Sequence, residues 1–243
     1  MSQPSPVLTV YDGGGAHNAD LSASASRIIR GAGWKRQRVV VIIPADAKIP
    51  TRVAMAYWSL AFPPNQPVVR IAAEGMETGE AYSRAIEGVL EHPEMRDYEY
   101  ILTIEHDNLP PADGVIRLIE QLEAHPELSC VGGLYWTKGP GGVPQIWGDP
   151  SDPIVNFRPQ APDPNGGLKE CVGTGMGFNL FRLKMFKDPK LRRPWFVTSP
   201  SGTQDLYFWG DARKHGYRCA IDCSVKVGHF DLEGKFGPAG MVW

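Results

Sequence analysis

Two carboxylates separated by one residue, Glu105 and Asp107, close the run 98–111, Tyr-Glu-Tyr-Ile-Leu-Thr-Ile-Glu-His-Asp-Asn-Leu-Pro-Pro. Acids in this acid-x-acid pattern supply the hard oxygen ligands that a divalent cation takes, and a cation held there can neutralise a diphosphate. The same residues also suit a polar strand-to-helix turn, with Asn108 or Asp113 capping the next helix. Two more candidates lie downstream: Thr203-Gln204-Asp205 opens a helical pattern, and His229 follows Val227-Gly228 at the close of an apolar segment. Between them, Gly173-Thr174-Gly175-Met176-Gly177 is a glycine cluster that lets backbone approach a ligand closely. It is not a dinucleotide fingerprint, because no early strand is followed by a glycine-rich turn with a downstream acid, and no Walker-type lysine loop occurs.

Strands that end where the acids begin must position these groups. Ile101, Leu102 and Ile104 are β-formers suited to a strand covered on both faces, and Pro110-Pro111 forbids the ladder from continuing, so a strand over 98–105 delivers the acids to the sheet edge. Ligands of open α/β sheets bind at that edge. Upstream, 38–44 reads as a strand stopped by Pro44, 53–62 as a helix packing through Met55, Tyr57, Trp58 and Leu60, and 68–72 as a second strand. After Gly75 a helix places Tyr82, Ala85, Ile86, Val89 and Leu90 on one face and ends before His92-Pro93. Past the acids, Val115, Leu118, Ile119 and Leu122 predict another amphipathic helix, and 128–136 returns as a strand. This alternation predicts one α/β domain with a mostly parallel central sheet and helices on both faces.

From Lys138 to residue 167 glycine and proline crowd the chain, which predicts an ordered functional loop carrying Trp147, Ile154 and Phe157. The last unit is a helix capped by Thr203 and running through Lys214 to Gly216, then a strand over 217–227. Residues 1–37 lack a clear period and are expected to form a partly flexible extension with a short strand at 7–11, leaving 38–243 as the folded domain.

A net charge of -2 excludes bulk attraction to nucleic acid or anionic membrane. No apolar run is long enough to span a bilayer, and no apolar leader segment follows Met1. Cys130, Cys171, Cys219 and Cys223 fall in apolar segments and are expected to be buried, reduced thiols of a cytoplasmic protein. Local charge differs from the average: Arg182, Lys184, Lys187, Lys190, Arg192 and Arg193 form one basic cluster, and Arg27, Arg30, Lys35, Arg36 and Arg38 another.

In their order, Ile-Leu-Thr-Ile-Glu105-His-Asp107-Asn, Val-Gly173-Thr-Gly175-Met-Gly-Phe-Asn, Thr-Gln-Asp205-Leu-Tyr-Phe and Val-Gly-His229 resemble the motifs of GT-A-fold glycosyltransferases, the family-2-like enzymes above all. The resemblance runs from about Val39 to His229 and implies a GT-A-like catalytic domain. It makes Asp107 and His229 direct metal ligands, Glu105 a ribose or metal-water contact, and Mn2+ (or Mg2+) the cation, with imidazole favouring manganese. Asp205 becomes the base of an inverting displacement; at a helix start, the macrodipole favours its anionic, weakly basic form. Pro44, Ala45 and Asp46 correspond to the loop around the nucleotide base, Glu74 to a further base contact, Arg84 to an arginine reaching ribose or phosphate, and Gly132, Gly133, Tyr135 and Gly173 to Gly177 to the sugar and acceptor side. Gln204 stands where many relatives carry an acid, and the Gln-x-x-Arg-Trp motif of processive synthases is missing. The implied reaction is a single transfer from a nucleotide-diphosphate sugar, a UDP-sugar, by a soluble enzyme. Relatives in bacteriophages modify hydroxymethylated DNA bases, and the two basic clusters would suit such a polyanion on the acceptor side; otherwise the acceptor is a glycan or small molecule. The alternatives are a nucleotidyltransferase, which typically adds a basic glycine-rich loop where this chain has Pro-Ala-Asp-Ala-Lys, and a non-catalytic nucleotide-sugar-binding module.

Overall fold

The computed structural model describes residues 7–12, 35–46, 48–199 and 202–243. In chain order its first half holds β1 (Val7–Asp12), β2 (Val39–Ala45), α1 (Thr51–Trp58), β3 (Val68–Glu74), α2 (Thr78–Glu91), β4 (Tyr100–Ile104), β5 (Asn108–Leu109), α3 (Gly114–Ala124) and β6 (Cys130–Leu134). Then follow β7 (Ile146–Trp147), β8 (Leu168–Cys171), β9 (Gly173–Thr174), β10 (Phe178–Arg182), α4 (Gln204–Ala212), β11 (Cys219–Lys226), β12 (Gly228–Asp231) and β13 (Met241–Val242). Eight strands form one sheet in the order β1-β3-β2-β4-β10-β6-β11-β8.

Strand β2 shows why the sheet is covered twice. All seven of its residues are buried, and they alternate between two cores as the period of a strand requires. Val40 and Ile42 join Tyr82, Ala85, Ile86 and Val89 of α2 and Phe208 and Trp209 of α4. Val39, Val41 and Ile43 join Val115, Leu118, Ile119 and Leu122 of α3 on the other face. Strands β3, β2 and β4 are mutually parallel, and β6 is parallel to β11. The expected mostly parallel α/β sheet with helices on both faces is therefore the fold observed.

Three features depart from the sequence reading. Strand β10 runs antiparallel between β4 and β6, so residues 178–182 turn back through the middle of the sheet. The short strand expected at 7–11 is present as β1, which pairs antiparallel with β3 at the sheet edge, Val7 opposite Glu74. Residues 1–6 and 13–34 of the expected extension lie outside the described residues. Helix α1 stops at Trp58 because the chain turns so that the Ala61 amide meets the Ala112 carbonyl at 2.7 Å and Leu60 enters the α3-side core. Beyond β11, which the sequence reading ended at Val227, β12 pairs with β5 and with β13 in a small second sheet.

The four cysteines are buried and free, with the Cys171 and Cys219 sulfurs 3.8 Å apart. Among the described residues no helix is long and apolar enough to cross a membrane.

Two glycines separate the demands of packing from those of backbone entropy. A Cβ on Gly88, inside α2, would meet nothing within 4 Å, whereas one on Gly177 would lie 2.7 Å from Asn108 Oδ1 and from the Tyr135 ring. Gly88→Ala is expected to stabilise the fold by roughly 0.5–1 kcal/mol, and Gly177→Ala to destabilise it by about 1–3 kcal/mol. Urea unfolding of both variants checks the opposite signs.

Candidate active site

The sheet brings the separate motifs together at its carboxyl edge. Register Phe178↔Ile104 sets the start of β10 beside the end of β4, and the Glu105 amide donates to the Gly177 carbonyl at 3.2 Å. The glycine cluster and the acids thus become neighbours. Strand β12 pairs His229 with Asn108, and the Phe230 amide donates to the Asp107 carbonyl at 2.7 Å, which fixes His229 next to Asp107. Gly175 has no room for a side chain: a Cβ there would lie 2.4 Å from the Tyr135 hydroxyl and 2.5 Å from Gln145 Oε1. These groups border a cleft of about 400 Å3 whose walls include Glu105, Tyr135, Lys138, Gln145, Met176, Asp205, His229 and Phe236.

Asp107 Oδ2 stands 3.4 Å from His229 Nε2, and the Lys138 ammonium is bonded to that same oxygen. The other ring nitrogen of His229, Nδ1, lies 2.8 Å from the Trp136 carbonyl. A carbonyl only accepts, so Nδ1 carries a proton and Nε2 is the atom turned to the carboxylate. A neutral Nε2 and a carboxylate oxygen are both acceptors; their close approach is favourable only with a proton or a cation between them. This carbonyl-anchored imidazole beside a carboxylate is the outer-shell arrangement found behind metal-bound histidines. No group of three or more His, Cys, Asp or Glu residues converges in metal-ligand fashion among the described residues, so the chain offers two direct donors. Two donors fit a divalent cation that completes its coordination with diphosphate oxygens and water.

The three carboxylates are perturbed differently. Burial pulls the Asp107 carboxyl upward, but the hydrogen bonds and charges of His229 and Lys138 outweigh it and hold the group well below the usual carboxylate range. Glu105 is pushed up to about 8, by burial first and then by the charges of Asp107 and Asp205. Asp205 is only 7% exposed; burial raises its carboxyl, and the Thr203 hydroxyl and Leu206 amide, both donating to Oδ1, offset part of that. The helix-start expectation of a weakly basic Asp205 is therefore corrected in direction: desolvation exceeds the favourable helix terminus. Thr203 does occupy the N-cap position, yet its hydroxyl serves Asp205 instead of a helix amide.

The remaining predicted residues divide. Gly173 and Gly175 lie close to α4 and Tyr135 respectively, Pro44 stands one residue before the end of β2, and Glu74 ends β3. Asp46 is 91% exposed, its nearest ionic neighbour His106 at 4.0 Å. Arg84 is not brought to the cleft; it pairs with Glu80 at 2.7 Å on the exposed side of α2. Of the two basic clusters, Arg27 and Arg30 lie outside the described residues. The others meet in part, but at the opposite end of the sheet. Arg36, Arg182, Lys184 and Lys187 share a surface depression with Tyr98 and Glu99, where β2 and β4 begin and the antiparallel β10 ends. Much of that charge is paired, Arg38 with Glu99 and Lys35 with Glu123. Arg192 and Arg193 lie over the Tyr207 and Trp195 rings. Arg36, Arg182, Lys184 and Lys187 are thus placed at the edge opposite to the acids, because a sequence does not say at which sheet edge a segment's charges emerge.

Sequence reasoning missed Lys138, Gln145 and Phe236. Lys138 carried a signal, a lone cation directly after a strand and before Gly-Pro-Gly-Gly. Phe236 comes from the loop 232–240, where the Asp231 carboxylate accepts from the amides of Lys235, Phe236 and Gly237, a turn with no marker beyond its glycines.

No family model matches this sequence, and no curated protein matches it. Solved structures do. A197 from STIV aligns with a TM-score of 0.56 at 17% identity, over 80% of this chain and 86% of that one. GalNAc-T7, solved with UDP, GalNAc and Mn2+, aligns with a TM-score of 0.54 at 10% identity, over 80% of this chain and 44% of that one. The chain thus spans less than half the length of GalNAc-T7. At such identities the likeness concerns the fold, and the fold is that of the GT-A glycosyltransferases.

Proposed function

We propose that this chain is a glycosyltransferase that moves a sugar from a nucleotide-diphosphate donor, a UDP-sugar, to an acceptor hydroxyl with inversion at the anomeric carbon. The observation that carries the reading is the facing pair of Asp107 Oδ2 and His229 Nε2, 3.4 Å apart, beside a cleft that His229 and Asp205 both line. Asp107 and His229 would hold Mn2+ or Mg2+, which when bound supplies Lewis-acid stabilisation of the departing diphosphate. Glu105 contacts a donor ribose hydroxyl or a water of the cation. Asp205, made more basic by burial, accepts the proton of the attacking hydroxyl, and the Thr203 and Leu206 donors on its Oδ1 orient the carboxylate toward the acceptor. Pro44, Asp46 and Glu74 border the nucleoside end, and Tyr135 and Gln145 the sugar. Gln145, Met176 and Phe236 give the cleft an uncharged wall, which favours a glycan or small-molecule hydroxyl as acceptor over a polyanion such as modified DNA.

Asp107→Ala removes the anionic cation ligand, and Mn2+-dependent UDP binding is expected to vanish in calorimetry; retained metal-dependent binding would refute the assignment. Asp205→Asn is expected to keep donor affinity while turnover falls by roughly two to four decades. NMR of the product should show the anomeric configuration opposite to that of the donor.

Glu105 generates a pH prediction. Its folded value, about 8, lies above the ordinary 4.5, so the native state holds this proton more tightly than the unfolded chain. Metal-free stability should therefore fall from this group as pH rises through that window. Asp107, displaced downward, acts in the reverse sense and loses its contribution only on acidification below its ordinary value. Thermal unfolding of metal-free Glu105→Gln, compared with the unmodified protein between pH 5 and 8, should show a flatter decline.

A further inference from the structure

Among the described residues, Lys138 is the one cation of the site that the proposed reaction does not use. It follows Thr137 at the base of a tight loop closed by the Thr137 amide on the Val143 carbonyl at 2.9 Å, the Val143 amide on Thr137 Oγ1 at 2.9 Å, and the Gly142 amide on the Gly139 carbonyl at 3.0 Å. Gly139 and Gly141 take φ of +100° and +78°, a conformation that other residues rarely adopt, so the loop's path depends on them. That path sends the side chain inward, 15% exposed, onto the Asp107 oxygen that also faces His229 Nε2. Asp231 and Glu105 lie near enough to feel the same ammonium.

This placement is a charge conflict for any ion entering alone. A dication reaching Asp107 Oδ2 must displace the ammonium or share the oxygen with it, and sharing sets the dication and the ammonium against each other across a single carboxylate oxygen. A nucleoside diphosphate arriving with the dication removes the conflict, because its oxygens give both the metal and the released ammonium new anionic partners. We propose that Lys138 is a tethered counter-cation that keeps a free divalent ion out of the site and yields Asp107 only when a diphosphate arrives, so that metal and nucleotide bind as a strongly coupled pair. The inference rests on the glycosyltransferase reading above and adds to it the order of loading. Coupling of this kind is reciprocal: UDP raises the affinity for Mn2+ by the same factor as Mn2+ raises that for UDP.

The test is equilibrium binding of Mn2+, followed by the electron paramagnetic resonance of the free ion, with and without UDP, on the full chain and on Lys138→Gln and Lys138→Arg. The unmodified protein should bind Mn2+ weakly alone and at least about a hundredfold more tightly with UDP, at the upper end of ordinary two-site coupling. Lys138→Gln should bind free Mn2+ at least about tenfold more tightly than the unmodified protein and show coupling reduced by a similar factor. Lys138→Arg, which keeps the charge, should behave like the unmodified protein. Equal or weaker binding of free Mn2+ by Lys138→Gln overturns the inference and leaves the glycosyltransferase reading standing. If Lys138→Gln fails to fold, the unmodified protein still decides: equal Mn2+ affinity with and without UDP overturns the inference. No binding of Mn2+ even with UDP overturns the glycosyltransferase reading, and the inference with it.

Discussion

Carboxylates gathered at one edge of a sheet repel one another, and the structure there is largely the means by which that repulsion is answered. Asp107, Glu105 and Asp205 each meet it differently. Asp107 keeps its charge because the Lys138 ammonium and the His229 imidazole stand against it. Glu105, enclosed by protein and sensing both other acids, is driven toward its protonated form. Asp205 sits between these extremes, raised by burial and drawn back by a hydroxyl and an amide. Such divergence is what a site needs when one acid must hold a cation, another must accept a proton, and a third must contact donor hydroxyls.

The sheet that carries this concentration of charge is packed against a core on both faces. Strand β10, wedged antiparallel between β4 and β6, ties Gly177 to Glu105. The Tyr135 hydroxyl accepts the Gly177 amide at 2.8 Å, and Tyr57 donates to the Glu105 carbonyl. Buried tyrosines around the acids are held far from ionisation, by burial first and by the nearby carboxylates second, so they add hydrogen bonds without adding charge. Orientation of the acids thus comes from backbone register and neutral phenols, and among the described residues Lys138 brings its ammonium to the Asp107 oxygen that faces His229 Nε2.

What the sequence revealed tracks how local each feature is. The apolar run that breaks into Glu105-His106-Asp107 states its own strand end, and the alternation of strand and helix states the layers. Placing β10 required knowing that Asn179 and Leu180 pair with β4 on one side and β6 on the other, a non-local fact that no period encodes. His229 was found through motif order, whereas its pairing with Asn108 is a register. The basicity of Asp205 was misjudged because a helix start is visible in sequence and 7% exposure is not. Lys138 was passed over for the same reason: a lysine in a glycine-rich loop reads as solvated until the loop is seen to fold inward.

The basic residues also bear on what the acceptor can be. Arg36, Arg182, Lys184 and Lys187 converge because β2 begins where the antiparallel β10 ends, the edge opposite to Glu105 and Asp107. A strand of five residues such as β4 separates the two edges by roughly 15 Å or more. A polyanion seated on that basic depression would present its hydroxyls to the wrong end of the sheet, and at ordinary ionic strength the field of those charges is largely screened over such a distance. On the glycosyltransferase reading proposed above, recognition of the acceptor would fall to the cleft itself, whose lining sets the Gln145 amide and the Phe236 ring beside Lys138, His229 and Asp205. Under that reading the hydrogen bonding and apolar contact of Gln145 and Phe236 would suit a hydroxyl-bearing molecule whose attacking oxygen reaches the carboxylate of Asp205.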